Sequence, residues 1–149
     1  NEAFLIEPAA RALASAAADL AKLGYRLKVL DAYRPLSVQS ILWSIKPDAN
    51  FVASPKVGSK HNRGASVDVT LLTSDLKPVE MPSLYDEFGP KARAVGQKLP
   101  DGIRKNLETL QKVMTGNGFK ILASEWWHFD YKDGRLFPLL DIPFSELSD

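Results

Sequence analysis

The stretch "SVDVTLL", residues 66–72, alternates apolar and polar side chains with a period of two. Val67, Val69 and Leu71 fall on one face of an extended chain, and Asp68 falls on the other. The pattern is typical of a strand with one face packed on a core. We therefore expect a sheet whose second face carries a carboxylate.

Other segments predict helices and further strands around this one. Residues 8–24 begin with proline, are rich in alanine and end at glycine, which is a helix signature. Residues 46–63 hold prolines, asparagines and a glycine, and residues 73–102 hold four prolines and three glycines, which predicts loops. The predicted elements are helices at 8–24, 36–45 and 101–118 and strands at 25–33, 66–72, 119–124 and 125–134.

The third predicted helix has the clearest internal pattern. Asp101 stands where a cap is expected, and Gly116 to Gly118 end the segment. A stripe at helical spacing forms its predicted buried face, namely Ile103, Leu107, Leu110 and Met114. No repeat or linker divides the 149 residues, so one domain, 1–149, is expected.

Composition narrows the possible partners. The chain has 19 basic and 18 acidic residues without blocks of like charge, which argues against nucleic acid and anionic membranes. No run approaches the roughly 18 apolar residues of a membrane span, and the start of the chain lacks the basic region of a signal peptide. A soluble protein with small-molecule partners is expected.

The absence of cysteine excludes disulfides, thiolate zinc sites and a cysteine nucleophile. Metal or acid and base chemistry must then use histidine, aspartate and glutamate. Only two histidines are present, and both stand near carboxylates, in "SKHNRGASVD" and "SEWWHFD".

A turn at Gly64 would bring His61 back over Asp68, and His128 from a distant strand would complete a set of two imidazoles and one carboxylate. Three such ligands with a fourth position open to water are typical of catalytic zinc sites. Glu125 is the nearest candidate for the base that such chemistry requires.

The spacing of Glu125 and His128 sets a condition on the local structure. Residues three apart point to opposite faces of a regular strand, so the strand must begin after Glu125, or twist or bulge there. A plainer interpretation makes both histidines ordinary hydrogen-bonded residues and "EWWHFDY" an aromatic core strand. Spacing alone favours neither interpretation.

Four motifs in order resemble the D-alanyl-D-alanine dipeptidases and related zinc D,D-peptidases. "SKHNRGASVD" resembles their Ser-x-His-x-x-Gly-x-x-x-Asp segment, and "SEWWHF" resembles their Glu-x-x-His segment, with the doubled tryptophan of the dipeptidase branch. "DAYRP" resembles the arginine motif, and "MPSLYDEFG" resembles the Met-Gly-Thr-x-Phe-Asp-x-Phe stretch. The fold implied is α+β, the hedgehog and D,D-peptidase fold, with a central antiparallel sheet flanked by helices.

The resemblance also implies a function, the hydrolysis of D-Ala-D-Ala or a similar short dipeptide by zinc-activated water, with one Zn²⁺ per chain. The residues that it implies are His61, Asp68 and His128 as zinc ligands, Glu125 as general base, Arg34 at the oxyanion, and Asp86 with Ser59 at the substrate ammonium.

For two of these residues a local interpretation stays open from the sequence. Arg34 pairs with Asp31 in that interpretation, and Asp86 caps the turn before Gly89.

The chain also departs from the family pattern. Family members usually carry sequence before the first helix, so this protein is expected to be either naturally short or trimmed. Pro82 and Ser83 replace Gly-Thr, and the stretch between Arg34 and His61 is compact, which suggests a more open pocket. Two alternatives follow, a D,D-carboxypeptidase or peptidoglycan endopeptidase acting on longer peptides, and a zinc-scaffold binding module without catalysis. The sequence is compatible with the cytoplasm or the periplasm, and it does not indicate the oligomeric state.

Overall fold

The computed structural model describes residues 2–48 and 52–147, so residues 49–51 of the predicted loop at 46–63 and the ends of the predicted domain lie outside the described residues. Within the described ranges the chain forms three α-helices and one four-stranded sheet. The elements are α1 (Glu7–Lys22), β1 (Tyr25–Asp31), α2 (Leu36–Ile45), β2 (Ser66–Thr73), α3 (Asp101–Gly116), β3 (Phe119–Leu122) and β4 (Glu125–Tyr131).

The sheet is antiparallel throughout, with strand order β1-β2-β4-β3. Helices α1 and α3 pack against each other and against the sheet. The core between these layers contains the apolar face of β2, with Val67, Val69 and Leu71 fully buried. This arrangement confirms the predicted α+β fold with a central antiparallel sheet flanked by helices.

The ends of the helices follow local rules, with one correction. Pro8 stands in the first turn of α1, and Gly24 beyond its end has a φ of 83°, which suits glycine. Asp101 is not the cap of α3, because it is the first helical residue, and its carboxylate accepts a hydrogen bond from Arg104 at 2.8 Å. Ile103 is only half-buried, whereas the rest of the predicted stripe is buried.

Residues 134–147 form a C-terminal segment, which lies against the site side of the molecule. The Leu140 N–H donates to the Asn62 carbonyl at 2.7 Å, and the Leu36 N–H donates to the Leu140 carbonyl at 3.1 Å. The Tyr33 hydroxyl donates to the Ile142 carbonyl at 3.1 Å. The segment therefore joins the "DAYRP" stretch to the loop that carries His61. Among the described residues, the helices are too short or too polar to cross a bilayer.

Candidate metal centre and active-site cavity

Three side chains bring one ligand atom each to a common point. Asp68 Oδ1 lies 3.0 Å from His128 Nδ1 and 3.4 Å from His61 Nε2, and the two ring nitrogens are 3.2 Å apart. Ligands at about 2.0–2.1 Å from a tetrahedral Zn²⁺ lie roughly 3.3 Å from each other. The spacing of the three atoms therefore fits a zinc-sized ion with little movement.

The sheet and one turn position these ligands. Asp68 lies on the face of β2 opposite Val67 and pairs directly with His128 across the β2 and β4 ladder. His61 begins a single 3₁₀ turn, which ends at Gly64 with a φ of 59°. The predicted turn at Gly64 is present, with Gly64 in the left-handed region, and it places His61 over the sheet.

The second nitrogen of each imidazole is also engaged. His61 Nδ1 donates to the Ala32 carbonyl at 2.6 Å, and His128 Nε2 donates to Asp130 Oδ1 at 2.9 Å. Such outer partners fix the orientation of metal-binding histidines. The nitrogens left for a metal are therefore His61 Nε2 and His128 Nδ1, the two that face Asp68.

Two polar residues at the centre went unrecognised in the sequence. Tyr85 donates its hydroxyl to Asp68 Oδ2 at 3.1 Å, and burial raises the pKa of this phenol far above its usual range, so it keeps its proton. Asp130 accepts from Ser66 Oγ at 2.7 Å and from Lys60 Nζ, in addition to His128. The sequence offered a signal for Asp130, because it lies two residues after His128 and residues two apart share a face of a strand.

The electrostatics of the cluster suit a cation. Burial opposes ionisation of Asp68, but hydrogen bonds from His128 and His61 hold its pKa well below the usual range. Burial disfavours the charged form of His128, but hydrogen bonds to Asp130 and Asp68 outweigh it and raise the pKa of this imidazole to about 9. Two carboxylates thus hold a proton on one ring in the metal-free protein, and a divalent ion can replace that proton.

A register shift separates Glu125 from His128. Ile121 pairs with Phe129 across β3 and β4, and the next pair joins Leu122 to Glu125, so one step along β3 spans four residues of β4. The three-residue spacing of Glu125 and His128 predicted an irregularity of this kind in β4. Glu125 is half-buried, and burial raises its pKa.

Arg34 pairs with Asp31, as the local interpretation predicted, and its position at the cavity leaves the role implied by the resemblance as a prediction. Its guanidinium pairs with Asp31 and donates to Gln39 Oε1 at 2.9 Å, and it also lines the cavity beside the metal cluster. β1 bulges just before this point, because Val29 pairs with Val69 while Asp31 pairs with Asp68. The side chain is therefore held locally and directed to the site.

Asp86 and Ser59 lie on the same cavity wall. Asp86 is exposed and has a φ of 60°, an uncommon conformation outside glycine. Partial burial and then the charge of Asp68 raise the pKa of Asp86. The Asp86 carbonyl accepts from the Phe88 N–H at 3.0 Å within the turn, and the Ser59 hydroxyl accepts from the His61 N–H at 3.2 Å.

One cavity of about 790 Å³ contains all seven residues singled out in the sequence. These are Arg34, Ser59, His61, Asp68, Asp86, Glu125 and His128. Apolar side chains of α2 and Trp127 line other parts of the cavity. Its volume falls within the range of ordinary small-molecule sites.

The three side chains form a cluster that could hold one metal ion, and the carboxylate of Glu125 lines the same cavity. Residues 2–147 match the Peptidase_M15 family, D-ala-D-ala dipeptidase. The chain belongs to this family of metallopeptidases.

Curated relatives agree with this assignment. The chain is 37% identical over 122 residues to a D-alanyl-D-alanine dipeptidase of Escherichia coli. The alignment covers 82% of this chain and 63% of the relative. The chain is also 30% identical over 159 residues to a D-alanyl-D-alanine dipeptidase of Enterococcus faecalis, and that alignment covers 92% of this chain and 73% of the relative. The chain thus spans less than two thirds of the length of the Escherichia coli relative.

Two solved structures share the fold. The LdcB LD-carboxypeptidase superposes with a TM-score of 0.56 at 20% identity, covering 89% of this chain and 62% of that chain. The vancomycin-resistance D,D-pentapeptidase VanY, solved in complex with Zn(II), superposes with a TM-score of 0.53 at 16% identity, covering 86% and 72%.

Proposed function

We propose that this protein is a zinc-dependent dipeptidase that hydrolyses D-Ala-D-Ala or a similar short dipeptide. The observation that carries the proposal is the convergence of His61, Asp68 and His128, at 3.0–3.4 Å, in one cavity with Glu125. His61, Asp68 and His128 would hold Zn²⁺, which would act as a Lewis acid toward the substrate carbonyl and lower the pKa of water. Membership in the dipeptidase family supports this choice of substrate.

Glu125 is the proposed proton carrier. It takes a proton from the attacking water as the water oxygen bonds to the carbonyl carbon, and it delivers that proton to the amide nitrogen as the C–N bond breaks. The position of Glu125 on the cavity wall supports this role, and burial raises its pKa toward the value that suits a base and an acid in turn.

Arg34 is proposed to stabilise the oxyanion that develops on the carbonyl. A fixed cation is effective there because it needs no reorganisation as the charge forms. The contacts of Arg34 with Asp31 and Gln39 support this role, since they hold the guanidinium in one orientation at the cavity.

Asp86 is proposed to bind the free ammonium group of the dipeptide, with Ser59 as a second acceptor. The exposed carboxylate of Asp86 on the cavity wall supports this role. Ser59 Oγ accepts the His61 N–H, and its remaining lone pair allows a further contact with a cation.

The test is amine release from D-Ala-D-Ala by the purified protein, after chelation and after zinc is restored, with Glu125→Gln in parallel. We expect activity to disappear with the chelator and to return with zinc. The zinc-loaded Glu125→Gln protein should lose at least about 100-fold in kcat, because it lacks the proton carrier.

The substrate panel separates the alternatives. N-acetyl-D-Ala-D-Ala and a tripeptide ending in D-Ala-D-Ala lack the free ammonium at the position that Asp86 recognises, so a dipeptidase should cleave them poorly. Preference for the longer peptides would replace the proposal with a carboxypeptidase or endopeptidase. Zinc binding without turnover of any D,D-peptide would support the non-catalytic module instead.

A further inference from the structure

The two oxygens of Asp68 have different partners. Oδ1 faces both histidine nitrogens, at 3.0 Å and 3.4 Å. Oδ2 accepts the hydroxyl hydrogen of Tyr85 at 3.1 Å. A carboxylate that binds a metal through both oxygens has to turn Oδ2 toward the ion, and in this protein the tyrosine holds that oxygen.

The ring of Tyr85 is held by aromatic packing. It meets Trp127 edge to face, with centroids 5.6 Å apart and an interplanar angle of 76°. Trp127 is buried and packs in the same way against Trp126 at 5.4 Å. The hydroxyl is therefore presented from a rigid cluster, which is the requirement for orienting a ligand.

The identity of residue 85 decides whether this contact can form. "MPSLYDEF" resembles the family stretch Met-Gly-Thr-x-Phe-Asp-x-Phe, and Tyr85 stands at the first phenylalanine of that stretch. A phenylalanine ring can pack on Trp127 equally well, but it cannot donate to Asp68. The chain thus has one additional hydrogen bond on the carboxylate of its candidate metal centre.

We propose that Tyr85 is a positioning residue that keeps Asp68 a one-oxygen metal ligand and so leaves the remaining coordination positions to water and substrate. This inference rests on the proposed function, because it takes His61, Asp68 and His128 as the zinc ligands. Catalytic zinc sites combine three protein ligands with an open position, and a second bond from Asp68 would occupy part of that space.

The test compares the wild-type protein with Tyr85→Phe in metal binding, without any substrate. We expect the variant to bind Zn²⁺ about 10-fold more weakly in competition with a chromophoric chelator, since outer partners of metal ligands contribute about this much. With Co²⁺ in place of zinc, we expect weaker visible absorption from the variant, as Asp68 turns and the coordination number rises above four.

Tyr25→Phe is the matched control. Tyr25 is also half-buried and donates its hydroxyl to a side chain, Asn106 Oδ1 at 3.4 Å, but this acceptor is not one of the three clustered residues. It should bind both metals as the wild type does. Equal zinc affinity and equal Co²⁺ spectra for Tyr85→Phe and the wild type would overturn the inference while leaving the proposed function intact. A wild-type protein that binds no zinc would overturn both.

Discussion

At the scale of single residues, the ionised side chain of Glu125, the proposed proton carrier, has a cost to the stability of the fold. Burial raises its pKa above that of the unfolded chain, so the folded state binds its proton more tightly. Stability is therefore lost as pH rises from the unfolded pKa through the folded pKa, and the loss persists at neutral pH. A buried carboxylate of this kind is typical of a site selected for chemistry rather than for stability.

Replacing Glu125 by glutamine should remove this cost. We expect Glu125→Gln in the metal-free protein to raise the free energy of unfolding at pH 7, and to change it little at pH values below the ordinary glutamate pKa, where the carboxyl is neutral in both states. Urea titrations of both proteins at several pH values measure the difference.

Glu108→Gln is the control for that experiment. Glu108 is exposed on α3, where it accepts from Arg104 at 3.2 Å. Its substitution should give no gain at neutral pH, because no burial cost is relieved. If Glu125→Gln raised the free energy of unfolding by the same amount at every pH, the destabilisation could not come from the ionised carboxylate of Glu125.

Residue types and spacing suggested that His61, Asp68 and His128 could converge, because histidines are scarce and cysteines absent, but only the family resemblance favoured a metal site over ordinary hydrogen-bonded histidines. The structure brings the three side chains together. Residue types and spacing were not enough for Tyr85, which reaches Asp68 from a loop 17 positions away in the sequence. Alternation along β4 would have suggested Asp130, but its partner Lys60 comes from a separate loop. Contacts made by loops depend on tertiary packing, which local patterns do not encode.

At the scale of elements, the candidate site lies where the sheet is irregular. β1 bulges at Asp31, opposite Asp68, and β4 changes register between Glu125 and Phe129. The sequence predicted an irregularity in β4, because Glu125 and His128 are three residues apart and would point to opposite faces of a regular strand. The bulge in β1 had no such signal, because its side chains alternate up to Val29.

The turn at Gly134–Leu136 lies close to the start of β2, and this contact predicts the effect of a small substitution. A Cβ added at Gly134 would lie 2.9 Å from the Cβ of Ala65 and 3.3 Å from the carbonyl oxygen of Ala65. We expect Gly134→Ala to lower the free energy of unfolding by about 1–3 kcal/mol, as overpacked sites do. Guanidinium denaturation monitored by tryptophan fluorescence measures the change.

Gly102→Ala provides the comparison within the same protein. Gly102 is exposed in the first turn of α3, and a Cβ built there meets open space among the described residues. We expect Gly102→Ala to raise the free energy of unfolding by up to roughly 0.5–1 kcal/mol, because alanine is the better helix former. Equal effects of the two substitutions would show that the contact with Ala65 is not tight.

At the scale of the whole molecule, the candidate site joins distant parts of the chain. Asp68 and His128 are 60 positions apart, and His61 and His128 are 67 apart. An unfolded chain does not hold such residues together, so zinc should bind the folded state selectively. Metal binding and folding are therefore expected to be coupled.

That coupling has a measurable size. At a free zinc concentration of 100 times Kd, the ion should stabilise the folded protein by about 2.7 kcal/mol. For a domain of this length we expect the Tm to fall by roughly 5–10 °C when a chelator removes the metal. Differential scanning calorimetry with and without the chelator measures the shift.

His128→Ala should abolish this zinc-dependent shift, since it removes one of the three clustered ligands. Its own Tm in the absence of metal serves as the reference for any structural damage. An undiminished shift in this variant would place zinc elsewhere on the chain.

The C-terminal segment shows the limit of sequence reasoning at this scale. Helices and strands were predicted because each has a periodic signal, but residues 135–147 have none. Their position depends on single backbone hydrogen bonds, such as those of Leu140 with Asn62 and Leu36. Such contacts appear only when the fold is known.

The position of this segment also determines when the site can be complete during synthesis. Tyr33 and Ile142 are 109 positions apart, so the hydrogen bond between them cannot form until long after Tyr33 has been translated. At about 5–20 residues per second, the delay is roughly 5–20 s. The nascent chain therefore carries Arg34 and His61 well before His128 and residues 134–147 have been translated. Zinc would then be captured by the complete site only after that point.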